Sequence, residues 1–297
     1  GTIETRGGAK RVRAAQMTTM ESTDLHAHYR ALMEAQVKRC VMEVSSIGIE
    51  EERVSASRYH RAAFLNLSAD HLDYHGDMER YGQAKLRLFS ELLASESLSV
   101  ICVDEERESL VVATRAITIA QERGGDVWRC MGRTCVESEE RVDADVYWRS
   151  LALTPEGLVG QLITPRGEID VCSPLIGRFN ASNIAVAAAL AHSLELNATS
   201  ISHTLRYATV RGRMETVSLS AEMIDHLQYT PQSVSARLPI VRVDYAHSPD
   251  ALRRALNALS EHQRDHAGKI WVLFGCGGGR DRIKRPLMGS AAAIAHG

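Results

Sequence analysis

Aromatic residues are scarce, only 5% of the 297-residue chain, so a core must be built from Leu, Val, Ile and Ala rather than from stacked rings. No apolar run reaches 18 residues, which excludes a helical membrane span, and mean hydropathy is -0.18. An excess of one charge is missing too. The 35 Lys and Arg stand against 37 Asp and Glu, for a formal net charge of -2 and a pI near 6.7. That balance gives no global pull toward nucleic acid or an anionic membrane. The six cysteines (Cys40, Cys102, Cys130, Cys135, Cys172 and Cys276) include no C-x-x-C pair. They read as small hydrophobes of a reduced, cytoplasmic chain, as in Ser99-Val-Ile-Cys102-Val. No segment matches the phosphate loop G-x-x-x-x-G-K-[ST], and no charged-then-apolar signal segment opens the chain. It starts at Gly1 rather than Met and stops in an Ala-rich run. Those ends read as a piece of something longer.

What is present is alternation. A length of 297 residues suggests about two domains. Helical spacing over Thr23 to Val37, with Ser22 or Thr23 available as a cap, predicts a first helix. Cys40 to Val44, Ala62 to Leu67, Leu98 to Val103 and Val127 to Met131 read as buried strands. Between them, Met78 to Leu93 and Leu110 to Arg123 read as helices. From Asp143 to Val171, turns at Pro155-Glu-Gly157 and Pro165-Arg-Gly167 predict an antiparallel patch. Helices follow at Asn180 to Leu194 and Ser200 to Tyr207. Past Arg211-Gly-Arg-Met-Glu215 and a polar stretch (Ser218 to Arg237), the pattern resumes. A strand (Ile240 to Tyr245), a helix (Pro249 to His262), a strand (Ile270 to Phe274), a Gly-rich loop and a last helix complete it. The expectation is an α/β fold with a mostly parallel sheet and helices on both faces. The domain boundary is expected near residue 211, giving domains 1–210 and 211–297.

Polar residues gather at the carboxyl ends of the expected strands, where such sheets bind ligands. Asn66-Leu-Ser-Ala-Asp-His71-Leu-Asp73-Tyr-His75-Gly76 sets imidazoles beside carboxylates. It reads either as a metal or phosphate site or as a polar turn leading into a helix capped by Asp77. Lys85, fourteen residues after His71, reads by itself as a solvated or snorkelling lysine. Glu43 closes an apolar run. It is either a ligand for a hard cation such as Mg2+ or a half-exposed strand end. Gly275-Cys-Gly-Gly-Gly-Arg280-Asp-Arg282-Ile-Lys284 can offer backbone N–H groups and cations to an anion, or is a plain connection. Asp244-Tyr-Ala-His247-Ser-Pro249-Asp250 repeats the strand-then-polar-turn design, with Pro249 suited to a first helical turn. Arg213 reads as a phosphate contact or an ordinary ion pair.

Seven runs, in order, resemble the Mur ligase family, in its branch that adds a diamino acid. They are Met42-Glu-Val-Ser-Ser46, Asn66 to Gly76, Ala84-Lys85, Gly177-Arg-Phe-Asn-Ala-Ser-Asn183, Gly212-Arg-Met-Glu215, Val243 to Asp250, and Phe274 to Asp281 continued by Lys284-Arg-Pro-Leu-Met-Gly289. The resemblance implies a central ATPase domain followed by part of a Rossmann-like C-terminal domain. It implies a cytoplasmic ligase of peptidoglycan precursor synthesis that uses ATP and Mg2+. ATP phosphorylates the terminal carboxylate of UDP-MurNAc-L-Ala-D-Glu, and a diamino acid, meso-diaminopimelate or L-lysine, displaces the phosphate. By the same resemblance, Glu43, His71 and Lys85 carry the catalysis and the metal, Lys85 as a carbamate. Thr18, Thr19, Ser45 and Arg53 match positions that hold the uridine nucleotide, and Arg280 a position near the incoming amino acid. Asn183, Arg213, Asp244 and Tyr245 match ATP-contacting positions. Small-molecule substrates, a monomer, and neither nucleic acid nor membrane as partner complete the implied picture.

The chain departs from the family pattern in places. The phosphate loop and the amino-terminal domain are expected upstream of Gly1, and the segment that reads diaminopimelate beyond Gly297. The expectation is therefore a fragment that does not hydrolyse ATP efficiently by itself. Ile47 stands where the family usually has His, Met20 where it has Pro, and the stretch from Glu215 to Ile240 is long. Two alternatives remain at this point: another ligase of the superfamily, such as a folylpolyglutamate synthase, and a degenerate nucleotide-binding relative without turnover.

Overall fold

The computed structural model describes residues 2–5, 11–14, 17–104, 107–134, 143–154, 156–217, 240–263, 268–276 and 284–296. Ten strands and nine helices are described in the order β1 (Thr2–Thr5), β2 (Arg11–Ala14), α1 (Ser22–Glu34), α2 (Ser46–Glu50), β3 (Tyr59–Phe64), α3 (Leu72–His75), α4 (Met78–Arg87), β4 (Leu93–Cys102), α5 (Arg107–Glu122), β5 (Asp126–Thr134), β6 (Val146–Thr154), β7 (Gly157–Thr164), β8 (Gly167–Ser173), α6 (Arg178–Ser193), α7 (Ala198–Leu205), β9 (Glu215–Val217), β10 (Val241–Val243), α8 (Pro249–Gln263) and α9 (Lys284–Ala292). A π-helical turn, Leu88–Leu92, joins α4 to β4. The main sheet runs β3-β4-β5-β6-β7-β8. Its pairings are parallel across β3, β4 and β5 and antiparallel across β6, β7 and β8. Two antiparallel pairs, β1 with β2 and β9 with β10, stand apart from it. This is the expected α/β architecture, with the antiparallel patch where the Pro-Gly turns announced it.

By its contacts the chain divides into two compact units. The first comprises Gly1–Met131, Arg141–Val146 and Val186–Leu190, and the second Gly132–Glu140, Tyr147–Ala185 and Ala191–Gly297.

In the first unit β4 is buried without a break from Ser97 to Cys102, as a parallel strand covered on both faces must be. Phe64, Leu86, Phe89, Ile101 and Val112 form its principal apolar cluster, and Leu25, Ile49, Val54 and Leu92 a smaller one. Asp77 caps α4 as expected, its carboxylate accepting the Arg80 amide at 2.8 Å. The expected helix from Met78 to Leu93 is interrupted: it widens at Leu88, so Phe89 and Leu92 reach different clusters. Neither Ser22 nor Thr23 caps α1. Glu21 occupies that position without a side-chain bond.

The second unit alternates strictly along β8, where Ile169, Val171 and Ser173 are buried between exposed neighbours, as expected when one sheet face is wet. Trp148 is fully buried and donates its indole N–H to the Ala181 carbonyl at 3.3 Å. Gly132 on β5 allows the first turn of α6 to approach closely: a Cβ there would lie 2.1 Å from Ser182 Oγ and 2.5 Å from its backbone nitrogen. Leu252, Leu256, Ile270, Met288 and Ala291 pack α8 against α9.

Two expected strands did not form. Cys40 to Val44 is irregular and Val41 is 82% exposed. No described strand pairs with it, and an apolar run without a ladder partner leaves its N–H and C=O groups unmatched as a strand. Glu43 is consequently not a buried strand end but an exposed side chain on an irregular segment. Ile270 to Phe274 is likewise irregular. The Ile270 amide donates to His296 Nδ1 (3.0 Å) and its carbonyl accepts from the His296 amide (2.8 Å), which ties the segment to the turn after α9. Of the cysteines, Cys102 and Cys130 are buried hydrophobes as expected, whereas Cys40 and Cys172 are exposed.

Candidate functional site

In the first unit the irregular segment bearing Glu43 is held in part by Thr19, and Met42 within it accepts from the Tyr29 hydroxyl at 3.1 Å. Thr19 is buried, and its hydroxyl accepts the Ser45 amide at 2.9 Å while lying 3.3 Å from the Glu43 carbonyl and 3.0 Å from Ser45 Oγ. Ser45 Oγ accepts the Gly48 amide at 3.1 Å and caps α2. Arg53 donates from Nη1 to the Thr19 carbonyl at 3.2 Å and pairs with Glu51 and, at 3.4 Å, with Glu21. Three of the four expected nucleotide-holding residues, Thr19, Ser45 and Arg53, thus form one bonded group. Thr18 is exposed beside it.

The second group centres on Tyr81, a buried ring on α4. Lys85 follows one turn later, and its Nζ stands over the Tyr81 ring, 4.8 Å from the centroid. His71 meets the same ring edge-on at 6.1 Å, and His75 stacks on it at 4.9 Å with 22° between planes. His75 is buried and its Nε2 lies 2.9 Å from Ser46 Oγ. His71 has a left-handed backbone (φ 54°) at the start of α3, uncommon for a residue with a side chain. Its amide donates to Asp70 Oδ1 at 2.9 Å, and its Nε2 is 3.7 Å from Asp70 Oδ2.

The electrostatics follow from burial. Desolvation lowers the Lys85 pKa, and the charges of Glu43 and Asp70 oppose that shift without cancelling it. Burial raises the Tyr81 phenol to about 12, helped by Asp70. Burial also lowers His75, with Glu50 opposing and His71 and Lys85 reinforcing. A cleft of about 460 Å³ opens beside this group, lined in part by Glu50, Tyr74, His75, Arg80 and Arg87. Arg87 is already committed to Glu50, Glu52 and Glu91.

Among the described residues no three His, Cys, Asp or Glu side chains converge closely enough to hold a metal ion by themselves. The donor chemistry nevertheless fits Mg2+. That ion takes one or two protein carboxylates and completes its shell with water and phosphate oxygens. Glu43 has one carboxylate to offer such an ion and His71 one ring nitrogen. Lys85 becomes an oxygen donor only if its amine is converted to a carbamate.

The second unit carries the remaining expected residues. Asp244 accepts the Met214 amide on Oδ2 and the Ala246 amide on Oδ1, each at 2.8 Å. Its carboxylate therefore ties the Gly212-Arg-Met-Glu215 turn to the end of β10. Arg213 stacks over the exposed ring of Tyr245 at 5.3 Å. Asn183, on α6, donates to Asn180 Oδ1 at 3.0 Å. Arg280 and the rest of the Gly-rich loop from 277 to 283 lie outside the described residues. A cleft of about 430 Å³ over β6 to β8 is lined by none of the expected site residues. Sequence reasoning missed Ser46, His75 and Tyr81 as a group. The Tyr81-x-x-x-Lys85 spacing was the available signal, since it puts both on one helix face.

A profile of the Mur ligase middle domain matches residues 1–191, and one of the Mur ligase glutamate ligase domain matches residues 212–296. The chain is 36% identical over 281 residues to a UDP-N-acetylmuramoyl-L-alanyl-D-glutamate--2,6-diaminopimelate ligase of Gloeobacter violaceus, covering 94% of the chain and 50% of that protein. It is also 36% identical over 297 residues to the protein of the same name from Geobacter sulfurreducens, covering 97% and 51%. A solved structure of a ligase so named superposes with a TM-score of 0.68 at 28% identity, over 96% of this chain and 53% of that one. The chain spans about half the length of the curated relatives it matches. No helix among the described residues is long and apolar enough to cross a membrane.

Proposed function

The chain belongs to the Mur ligase family, and from that premise we propose that the full-length protein joins a diamino acid, meso-diaminopimelate, to UDP-MurNAc-L-Ala-D-Glu at the expense of ATP. The γ-phosphoryl group of ATP passes to the terminal carboxylate, giving an acyl phosphate and ADP. The amino group of the diamino acid then attacks the acyl carbon, and inorganic phosphate leaves as the amide forms. The observation that carries the reading is the meeting of His71 and Lys85 on the ring of Tyr81.

Phosphoryl transfer to a carboxylate asks the protein for positioning and charge neutralisation rather than for a nucleophile of its own. Mg2+, when bound, supplies that neutralisation, and Glu43, His71 and the Lys85 carbamate are the residues that would hold it. Carbamate formation joins the Lys85 nitrogen to the carbon of CO2: the ammonium first gives up one proton to become the attacking amine, and the nitrogen loses a second as the N–C bond forms, turning a cation into an anionic oxygen donor. Thr18, Thr19, Ser45 and Arg53 hold the uridine nucleotide, the Thr19 latch presenting Ser45 and Arg53 together. Asn183, Arg213, Asp244 and Tyr245 contact ATP, Tyr245 as a ring surface and Asp244 by setting the turn that carries Arg213. Arg280 lies near the incoming amino acid.

The division into a central ATP-binding domain (1–210) and a C-terminal ligase part (211–297) is supported by the ends of the two matched segments. The protein works in the cytoplasm as a monomer on small-molecule substrates, without nucleic acid or membrane as partner. The deciding experiment measures ATP-dependent phosphate release by the full-length protein with UDP-MurNAc-L-Ala-D-Glu and Mg2+, adding meso-diaminopimelate or L-lysine in turn. Release that requires meso-diaminopimelate supports the reading. Release with L-lysine alone overturns the substrate, and none with either overturns the ligase.

A further inference from the structure

Glu43 stands on a segment with no ladder, so its position depends on side-chain bonds: Met42 Sδ beside it accepts from the Tyr29 hydroxyl at 3.1 Å and the Tyr59 hydroxyl at 3.5 Å, and two further anchors follow toward α2. Thr19 anchors it toward α1 through Glu43 O and Ser45 N. On the other side, three residues past Glu43, the Ser46 hydroxyl meets His75 Nε2 at 2.9 Å in a buried setting. The His75 ring lies flat on Tyr81, 4.9 Å between centroids, and Tyr81 carries Lys85 over its own ring. The path Glu43 segment, Ser46, His75, Tyr81, Lys85 is continuous, and every link in it is a packed or hydrogen-bonded contact. It joins an irregular segment to a capped, regular helix.

We propose that His75 is a positioning residue, a strut that sets where Glu43 stands relative to Lys85 and His71 and so preorganises the divalent-cation site. The inference rests on the metal-dependent ligase reading above. His75 touches neither the ion nor the substrates in this role. It acts through Ser46 on the carboxylate's segment and through Tyr81 on the lysine. A histidine buried only to fill the core would need a hydrogen-bond partner as well. It would have no reason to have that partner beside one donor and its stacking surface beneath another.

The test uses the full-length protein and three variants: Ser46→Ala, His75→Phe and His75→Gln. Binding of Mn2+ alone is read from the loss of the free-ion electron paramagnetic resonance signal in bicarbonate buffer, beside the Mg2+ dependence of phosphate release. Ser46→Ala and His75→Phe are expected to weaken Mn2+ binding about tenfold, the lower range for loss of a group that orients metal ligands. The Mg2+ concentration for half-maximal release rises by the same factor, while KM for the diamino acid stays within about twofold of wild type. His75→Gln, able to reach Ser46 without the ring, recovers most of the Mn2+ affinity. The Ser46→Ala/His75→Phe double variant binds no more weakly than the worse single one, because both break one path.

A folded Ser46→Ala protein with wild-type Mn2+ affinity overturns the strut, as do additive losses in the double variant. Should His75→Phe fail to fold, Ser46→Ala, which removes a single oxygen, decides by itself. A wild type that binds Mn2+ with the predicted variant losses but releases no phosphate refutes the ligase and leaves the strut standing. A wild type that binds no Mn2+ refutes the strut whatever its turnover.

Discussion

Lys85 Nζ stands 4.8 Å from the centre of the Tyr81 ring, one helical turn earlier on α4. An ammonium in this position is attracted by the ring face but has given up much of its water, and desolvation dominates its lowered pKa. A half-buried lysine of this kind, short of its water, is a cost to folding.

Lys85→Met keeps the length of the side chain and deletes the amine. The variant should melt no lower than wild type, since a desolvated cation is replaced by an apolar group of like volume. Its amino-acid-dependent phosphate release should fall at least about a hundredfold, as expected when a ligand-forming group is lost. Calorimetry and the phosphate assay on the same full-length preparation check both halves. Loss of stability with retained turnover would make Lys85 an ordinary packing residue.

Thr19→Val tests the latch. Valine preserves shape but leaves the part-buried Ser45 amide without its acceptor, a penalty of about 1 kcal/mol, the low end for an unsatisfied donor. Urea unfolding should show the loss in midpoint with little change in slope. Ser45→Ala, which removes the α2 cap, should cost about 1 kcal/mol.

Gly132→Ala should destabilise by about 1–3 kcal/mol through overpacking, because the new methyl group meets Ser182 Oγ and the backbone beneath it. Backbone, unlike a long side chain, cannot swing aside. Thermal unfolding of the variant reads the effect, and an unchanged melting temperature would mean that α6 shifts away from β5 freely.

His192 is expected to make stability pH-dependent. It is buried, its Nδ1 lies 2.8 Å from Thr164 Oγ1, and burial lowers its pKa, with Arg166 reinforcing the shift. The Thr164 hydroxyl donates to the Gly167 carbonyl and also accepts the Arg166 amide. The imidazole Nδ1–H therefore donates to it, and the neutral ring suffices. A base whose folded pKa is depressed binds fewer protons folded than unfolded. Its contribution is complete above the unfolded value of about 6.5 and is lost as pH falls below it. The melting temperature should drop from pH 7.5 to 5.5, and His192→Gln should flatten that slope. An equal slope in both proteins would remove His192 from the account.

Much of this was legible along the chain. Asp77 before Met78, and Tyr81, Leu88 and Leu92 at helical spacing, announced α4 and its cap. The Pro-Gly turns announced β6 to β8. The same reasoning failed at Cys40 to Val44 and at Ile270 to Phe274, where apolar composition promised strands. Hydrogen bonds with Thr19 instead hold the Glu43–Ser45 end of the first segment, and bonds to His296 hold Ile270. The π-helical turn at Leu88 has no periodicity of its own to betray it. Ser46 and His75 are 29 residues apart, and neither residue type signals the other.

The sequence by itself determined most of the helices, the Asp77 cap and the order of the family runs, because each depends on residues within a turn or two of one another. Only the tertiary structure decided which apolar segments become strands, since a strand exists only where a second backbone lies alongside to accept its bonds. It also decided that His71, His75 and Lys85 share one aromatic ring, because a buried ring selects its neighbours by space and desolvation and not by distance along the chain.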